Sequence, residues 1–246
     1  MFIKLARRGK DMTEALYAQD AYQTVFTALV VSADGERILL NKTCFYPTGG
    51  GQPHDEGVLT CHGKDYPVLG VRNTGDGIVH EVQGGEIRAG DEVRGTIDWK
   101  RRYALMRYHT AMHLFSALVY QRDGARITGN QLDVDKARID LTMENFSKER
   151  IEERIHAANV LIKRDARVKT YVLPKEDALK DETLVKLAKK EFFEKLDQVR
   201  IVEIEHIDKQ ADGGTHVRSL KEVGELVLLR IENKGKHNRR VYFTLR

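Results

Sequence analysis

A chain of 246 residues can bury one large core or two of ordinary size, and 41% hydrophobic with 32% charged residues excludes an intrinsically disordered chain in favour of a soluble globular one. The formal net charge of +4 allows a nucleic-acid partner without requiring one, since a solvated surface of mixed charge gives the same figure. Cys44 and Cys61, without C-x-x-C spacing, are too few for a disulfide scaffold, and no apolar run nears the ~20 residues of a membrane span or reads as a secretory signal, so a cytoplasmic protein with no membrane partner is expected.

Residues 1–11 are basic and patternless, and Met12 opens a second plausible start. A disordered or mis-assigned extension is expected there, with a functional basic arm as the alternative. From Tyr22 to Trp99 the pattern is one of strands and turns. Val25, Thr27, Leu29 and Val31 alternate with Phe26, Ala28 and Val30, and Asp34-Gly35 ends the run. Shorter runs follow at Arg37–Leu40, Val58–Leu59, Tyr66–Val71, Gly77–Val82 and Glu92–Ile97, separated by glycine-containing turns. Short strands at roughly ten-residue spacing predict a small β-barrel over residues 12–99. Fourteen of the twenty glycines lie within residues 1–100, which puts a domain boundary near Trp99–Lys100.

Within the barrel stretch, Phe45-Tyr46-Pro47-Thr48-Gly49-Gly50-Gly51-Gln52-Pro53 interrupts the strands. Three successive glycines cost backbone entropy on folding. Either they let backbone N–H groups approach an anion such as a phosphate, or they serve a tight turn that needs positive φ.

Past the boundary the pattern becomes α+β. A helix is predicted from about Arg101 to Tyr120, with Leu105, Met112, Phe115 and Val119 as its apolar face. His109 and His113, four apart, share one side of that helix, where both imidazoles can converge on one metal ion or simply pack. Ala125–Thr128 and Ala137–Leu141 read as a strand pair turned at Gly129-Asn130. Ser147 is a candidate N-cap for a helix whose buried stripe is Ile151, Ile155, Ala158 and Ile162, with His156 at the surface. A strand from Arg167 to Leu173 precedes a charged helix, Lys175–Leu196. Val199–Ile207 alternates as a strand that delivers Asp212-Gly213-Gly214-Thr215-His216, a turn carrying a third candidate ligand. Glu225–Glu232 and Arg239–Leu245 close the chain around a basic hairpin.

His-x-x-x-His on a helix, the later Gly-Gly-Thr-His-Val and the upstream Tyr-Pro-Thr-Gly-Gly-Gly-Gln together resemble the AlaX family in its medium-length branch, free-standing homologues of the editing domain of alanyl-tRNA synthetase. The resemblance covers nearly all of residues 12–246. It implies an α+β fold, a small β-barrel followed by the editing domain shared with threonyl- and alanyl-tRNA synthetases, here residues 100–246. It also implies a zinc-dependent hydrolase, with one zinc ion per chain, that deacylates tRNA(Ala) mischarged with serine or, in some members, glycine. His109, His113 and His216 match three family zinc ligands. Asp212 stands where the family often has cysteine, so either its carboxylate ligates or three histidines and water complete the sphere. Losing the soft ligand weakens selection for zinc. Thr128 lies where family members use a small hydroxyl residue in the amino-acid pocket, and is the candidate for sensing the serine hydroxyl. Thr48, Gly49, Gly50, Gly51 and Gln52 are the candidates for holding the RNA 3′ end. Thr110 replaces the glutamate of a His-Glu-x-x-His helix, so the general base is unassigned. Two other readings stay open: a tRNA-binding module with a degenerate metal site, and a structural zinc domain.

Overall fold

The computed structural model describes residues 13–144, 146–181, 184, 197–235 and 238–246. The expected N-terminal extension, and most of the expected charged helix beyond Lys180, lie outside the described residues. The chain divides into two compact units, Met1–Tyr103 and Ala104–Arg246.

In the first unit, β1 (Glu14–Ala15), α1 (Leu16–Gln19), β2 (Val25–Asp34), β3 (Arg37–Leu40) and β4 (Lys42–Thr43) precede the glycine-rich loop; β5 (Gly57–Cys61), β6 (Lys64–Asn73), β7 (Ile78–Val82) and β8 (Glu92–Ile97) follow it. Strands β2-β3-β7-β6-β5-β8 close a barrel, which removes every exposed edge. The alternation read from β2 is physical: Phe26, Ala28 and Val30 point into the core, while Leu29 and Val31 are exposed. β5 turns into β6 through His62-Gly63, both at positive φ (48° and 76°), as a two-residue primed hairpin requires.

Helix α2 (Trp99–Asp123) contains the boundary between the units. Its first turn belongs with the barrel, because Arg102 is bound into the loop there. In the second unit, β9 (Arg126–Leu132), β10 (Ala137–Thr142), β14 (Leu226–Asn233) and β15 (Arg239–Leu245) form one antiparallel sheet, ordered β14-β15-β10-β9. β11 (Val168–Pro174), β12 (Gln198–Ile204) and β13 (Asp208–Ala211) form another. Helix α3 (Lys148–Arg164) starts at Ser147, whose side chain accepts from the Arg150 N–H, and buries Ile151, Ile155, Ala158 and Ile162, leaving His156 exposed. α4 spans Lys175–Lys180. The architecture is α+β. Among the described residues no helix is long and apolar enough to cross a membrane.

Three local expectations are corrected. α2 is buried all round from Tyr108 to Val119 rather than along one stripe; Phe115 packs on Phe243, and the Tyr108 and Thr244 hydroxyls lie 3.0 Å apart. Gly129-Asn130 is not the turn between β9 and β10. It lies within β9, where Gly129 faces Asp140, and a side chain there would come 3.2 Å from the Asp140 carboxylate. Finally, Val199–Ile207 is not one strand: the chain reverses at His206, φ 62°, so that β13 rather than β12 delivers the Asp212 turn.

Candidate metal centre

The two histidines of α2 and the turn after β13 meet inside the second unit. His109, His113, Asp212 and His216 are all buried, and their ligand atoms lie within 4.8 Å of one another. His216 Nε2 is 3.1 Å from Asp212 Oδ2, and His109 Nε2 is 3.7 Å from Asp212 Oδ1. Four donors on a tetrahedron with metal bonds of about 2.1 Å stand about 3.4 Å apart, so these separations bracket the spacing a zinc ion needs. His113 Nδ1 is buried with no hydrogen-bond partner among the described residues. The donor set itself, three imidazoles and one carboxylate brought together away from solvent, is of the kind that holds a divalent cation. The residues fit the metal.

Neighbouring groups aim these ligands. Thr110 Oγ1 lies 3.1 Å from His216 Nδ1 and accepts from the Val217 N–H, holding the ring so that Nε2 turns towards Asp212. Asp212 Oδ2 accepts from the Gly214 N–H at 2.6 Å, and Arg200 donates to the Asp212 carbonyl at 3.0 Å. The glycine at 214 is steric in origin. A Cβ there would fall 2.2 Å from His109 Cε1 and 2.4 Å from its Nδ1.

Burial pushes all three imidazoles below their ordinary range, His113 to about 4. They are neutral at pH 7, the form that ligates metal. Burial opposes charge on Asp212 as well, but the facing imidazoles, His109 foremost, and the His216 contact outweigh it and hold the carboxyl well below its usual range. One anion among three neutral nitrogens is an arrangement a divalent cation stabilises.

In the first unit, the glycine-rich loop is a formed turn. Gly49 and Gln52 exchange N–H···O bonds of 3.0 and 2.9 Å across Gly50 and Gly51, both at positive φ (58° and 85°). The amides of Gly49 and Gln52 are therefore used internally, and those of Gly50 and Gly51 sit at the tip. Thr48 is exposed and its N–H bonds the Val71 carbonyl. Beneath the turn lies a pair that sequence reading missed. Arg102 Nε reaches both Asp55 oxygens at 3.0 and 3.1 Å, and the guanidinium also donates to the Ala21 and Cys44 carbonyls. Asp55 in turn accepts from the Tyr46 N–H at 2.6 Å. Both charged side chains are fully buried.

Residues 11–101 match the family model of class II (A) tRNA synthetases, and residues 199–242 that of the threonyl and alanyl tRNA synthetase second additional domain. An alanyl-tRNA editing protein AlaX-M of Saccharolobus solfataricus is 45% identical over 96% of this chain and 100% of its own length. The chain belongs to the AlaX-M family of alanyl-tRNA editing proteins. A second member, from Methanosarcina barkeri, is 41% identical over 95% of the chain and 99% of its own length. The alanine–tRNA ligase of Pyrococcus abyssi is 36% identical over 95% of this chain, which corresponds to 26% of that longer enzyme.

Against the sequence expectations for this family, the structure gathers His109, His113, Asp212 and His216 at one point. Thr128 is not among those ligands: it is exposed on β9, and its hydroxyl donates to Asn238 Oδ1 at 3.0 Å. Two further buried polar residues beside the ligands, Ser116 and Gln210, also escaped sequence reading. Gln210 alternates with Lys209 and Ala211 on a strand, and a glutamine there reads as a solvated face.

Proposed function

We propose that this protein hydrolyses the ester of Ser-tRNA(Ala), with Gly-tRNA(Ala) as a second substrate, using one zinc ion held by His109, His113 and His216 with Asp212 as the fourth donor. The buried three-histidine, one-carboxylate cluster is the observation that supports this most strongly, together with membership of an editing family. A bound zinc ion supplies Lewis-acid polarisation of an ester carbonyl and acidifies water. The chain's own residues do the rest. Burial keeps the imidazoles deprotonated as ligands, Thr110 orients His216, and Gly214 leaves room for the His109 ring. Asp212 balances the cation's charge and, by its Gly214 bond, stays fixed when substrate arrives.

The Gly50 and Gly51 amides are the proposed contacts to the RNA 3′ end, with Thr48, Gly49 and Gln52 shaping the turn that presents them. Asp55 and Arg102 hold that loop from below, so the tip is presented by a rigid base rather than by a loose tract.

The test is hydrolysis of Ser-, Gly- and Ala-tRNA(Ala) side by side, with zinc chelated and then restored. Seryl ester should disappear fastest, activity should vanish on chelation and return with zinc, and His109→Ala with His113→Ala should abolish it. Binding of tRNA without hydrolysis of any of the three would replace this reading with a tRNA-binding module whose metal site is degenerate. Hydrolysis indifferent to chelation and to the double substitution would remove the metal from the mechanism.

A further inference from the structure

Metal-ligating side chains also meet in the first unit, at one end of the barrel. Cys61 ends β5, His62 opens the hairpin to β6, and Asp91 stands immediately before β8. Their ligand atoms lie within 4.8 Å of one another; among the described residues, this group and the His109 cluster are the two that gather three or more such donors. Cys61 Sγ is 3.8 Å from Asp91 Oδ2, and His62 Nε2 is 3.3 Å from Asp91 Oδ1. Donors around a tetrahedral ion, with a metal–sulfur bond of about 2.3 Å and metal–nitrogen or –oxygen bonds of about 2.1 Å, stand about 3.4–3.6 Å apart. Both separations are close to that spacing.

Each donor is held by its own element. Cys61 lies on the inward side of β5 and is 3% exposed. The hairpin sets His62 at φ 48°, with its imidazole 78% exposed, so the outer side of the group is open to a water ligand. Asp91 is fixed from behind. Its Oδ2 accepts from the Arg88 N–H at 2.8 Å, its own N–H bonds the Arg88 carbonyl at 3.1 Å, and its carbonyl accepts from the Val30 N–H at 2.9 Å. The carboxylate therefore has a set position between thiol and imidazole, one oxygen facing each.

We infer that Cys61, His62 and Asp91 form a second cation site, for a borderline divalent ion of the zinc class with water completing its sphere. Sulfur and nitrogen donors disfavour calcium and magnesium, which take oxygen ligands, and favour zinc or cobalt. The thiol proton passes to solvent as the metal–sulfur bond forms. Bound there, the ion joins the β5–β6 hairpin to the turn ahead of β8. Cys44, the chain's other cysteine, is fully buried, its thiol is pushed up to about 12 by that burial, and it belongs to neither donor group.

The two sites differ in a way that cobalt reads, because the His109 cluster contains no sulfur. Cobalt(II) is titrated into the metal-free full chain, with a phosphine keeping thiols reduced. Binding should saturate at two equivalents, with a near-ultraviolet sulfur-to-cobalt charge-transfer band that zinc bleaches on competition. In His109→Ala with His113→Ala the band should persist while binding falls to one equivalent. Cys61→Ser should abolish the band. His62→Gln, on an exposed side chain, should weaken the sulfur-bearing site at least about tenfold and leave the melting temperature of the metal-free protein unchanged. The proposal is overturned by saturation without a sulfur band, by a band that survives Cys61→Ser, or by unchanged affinity at that band in His62→Gln. Should Cys61→Ser not fold, the His62→Gln titration decides alone.

Discussion

Gly214→Ala should dismantle the metal centre while leaving the fold in place. The added Cβ would lie 2.2 Å from His109 Cε1 and 2.4 Å from Nδ1, with the Asp212 carboxylate at 3.0 Å. Unstrained carbon contacts begin at about 3.5 Å, so the ring or the turn must yield by about 1.3 Å. His109 is fully hemmed in and its partners sit on the same turn, so neither can move alone. A metal site tolerates ligand displacements of only about 0.2 Å. Overpacking of this kind costs about 1–3 kcal/mol of stability, which a domain of this size survives. Zinc affinity should therefore fall by far more than stability does: at least about tenfold, the scale seen when a supporting group is merely disturbed. Competition titration with a chromophoric chelator reads the affinity, and urea denaturation of the metal-free protein reads the fold. Zinc bound with unchanged affinity by Gly214→Ala would refute the claim that this glycine exists to clear the His109 ring.

Asp212→Cys should bind zinc at least as tightly as the unsubstituted chain, since a thiolate fills a tetrahedral position with a softer donor, whereas Asp212→Ala should lose at least about tenfold in the same titration; equal affinity in Asp212→Ala would reduce the residue to a turn former. Arg102→Met should cost about 3–5 kcal/mol in urea denaturation by stranding Asp55 in a fully buried site, and adding Asp55→Leu should recover much of the loss. Unequal recovery of deacylation and stability in that double variant would show that the loop, not only the fold, depends on the pair. Arg154 and Arg150 hydrogen bonds to Asp123 outweigh burial and hold its carboxyl below the usual range. Its contribution is thus fully present above the unfolded-state value of about 3.9 and is lost as pH falls through the lower folded value. The stability gap between the unsubstituted chain and Asp123→Asn should be widest near neutrality and shrink below about pH 4; a gap constant with pH would refute the pairing.

Repeating local patterns carried much of this protein in its sequence. Alternation marked β2 as a strand, though not which of its two apolar sets faces inward, the Ser147 cap marked the start of α3, and the i, i+4 spacing placed His109 and His113 on one side of α2. Each of these depends on backbone geometry over a few residues, which is why short-range sterics suffice to fix them. At Gly49-Gly50-Gly51 the sequence left two readings open, a tight turn with positive φ or an anion-binding backbone, and the structure shows the turn, with Gly50 and Gly51 at φ 58° and 85°. The rest was decided by the path of the chain. Arg102 and Asp55 lie 47 residues apart, and Ser116 and Gln210 lie 94 apart. In both cases a charged or polar side chain that reads as solvent-facing is buried because a partner arrives from elsewhere. Gly129 failed as a turn and Gly214 succeeded as a clearance for the same reason. What a glycine does depends on the atom facing it, Asp140 in one case and the His109 ring in the other, and that neighbour is chosen only when the sheet and helix are in contact.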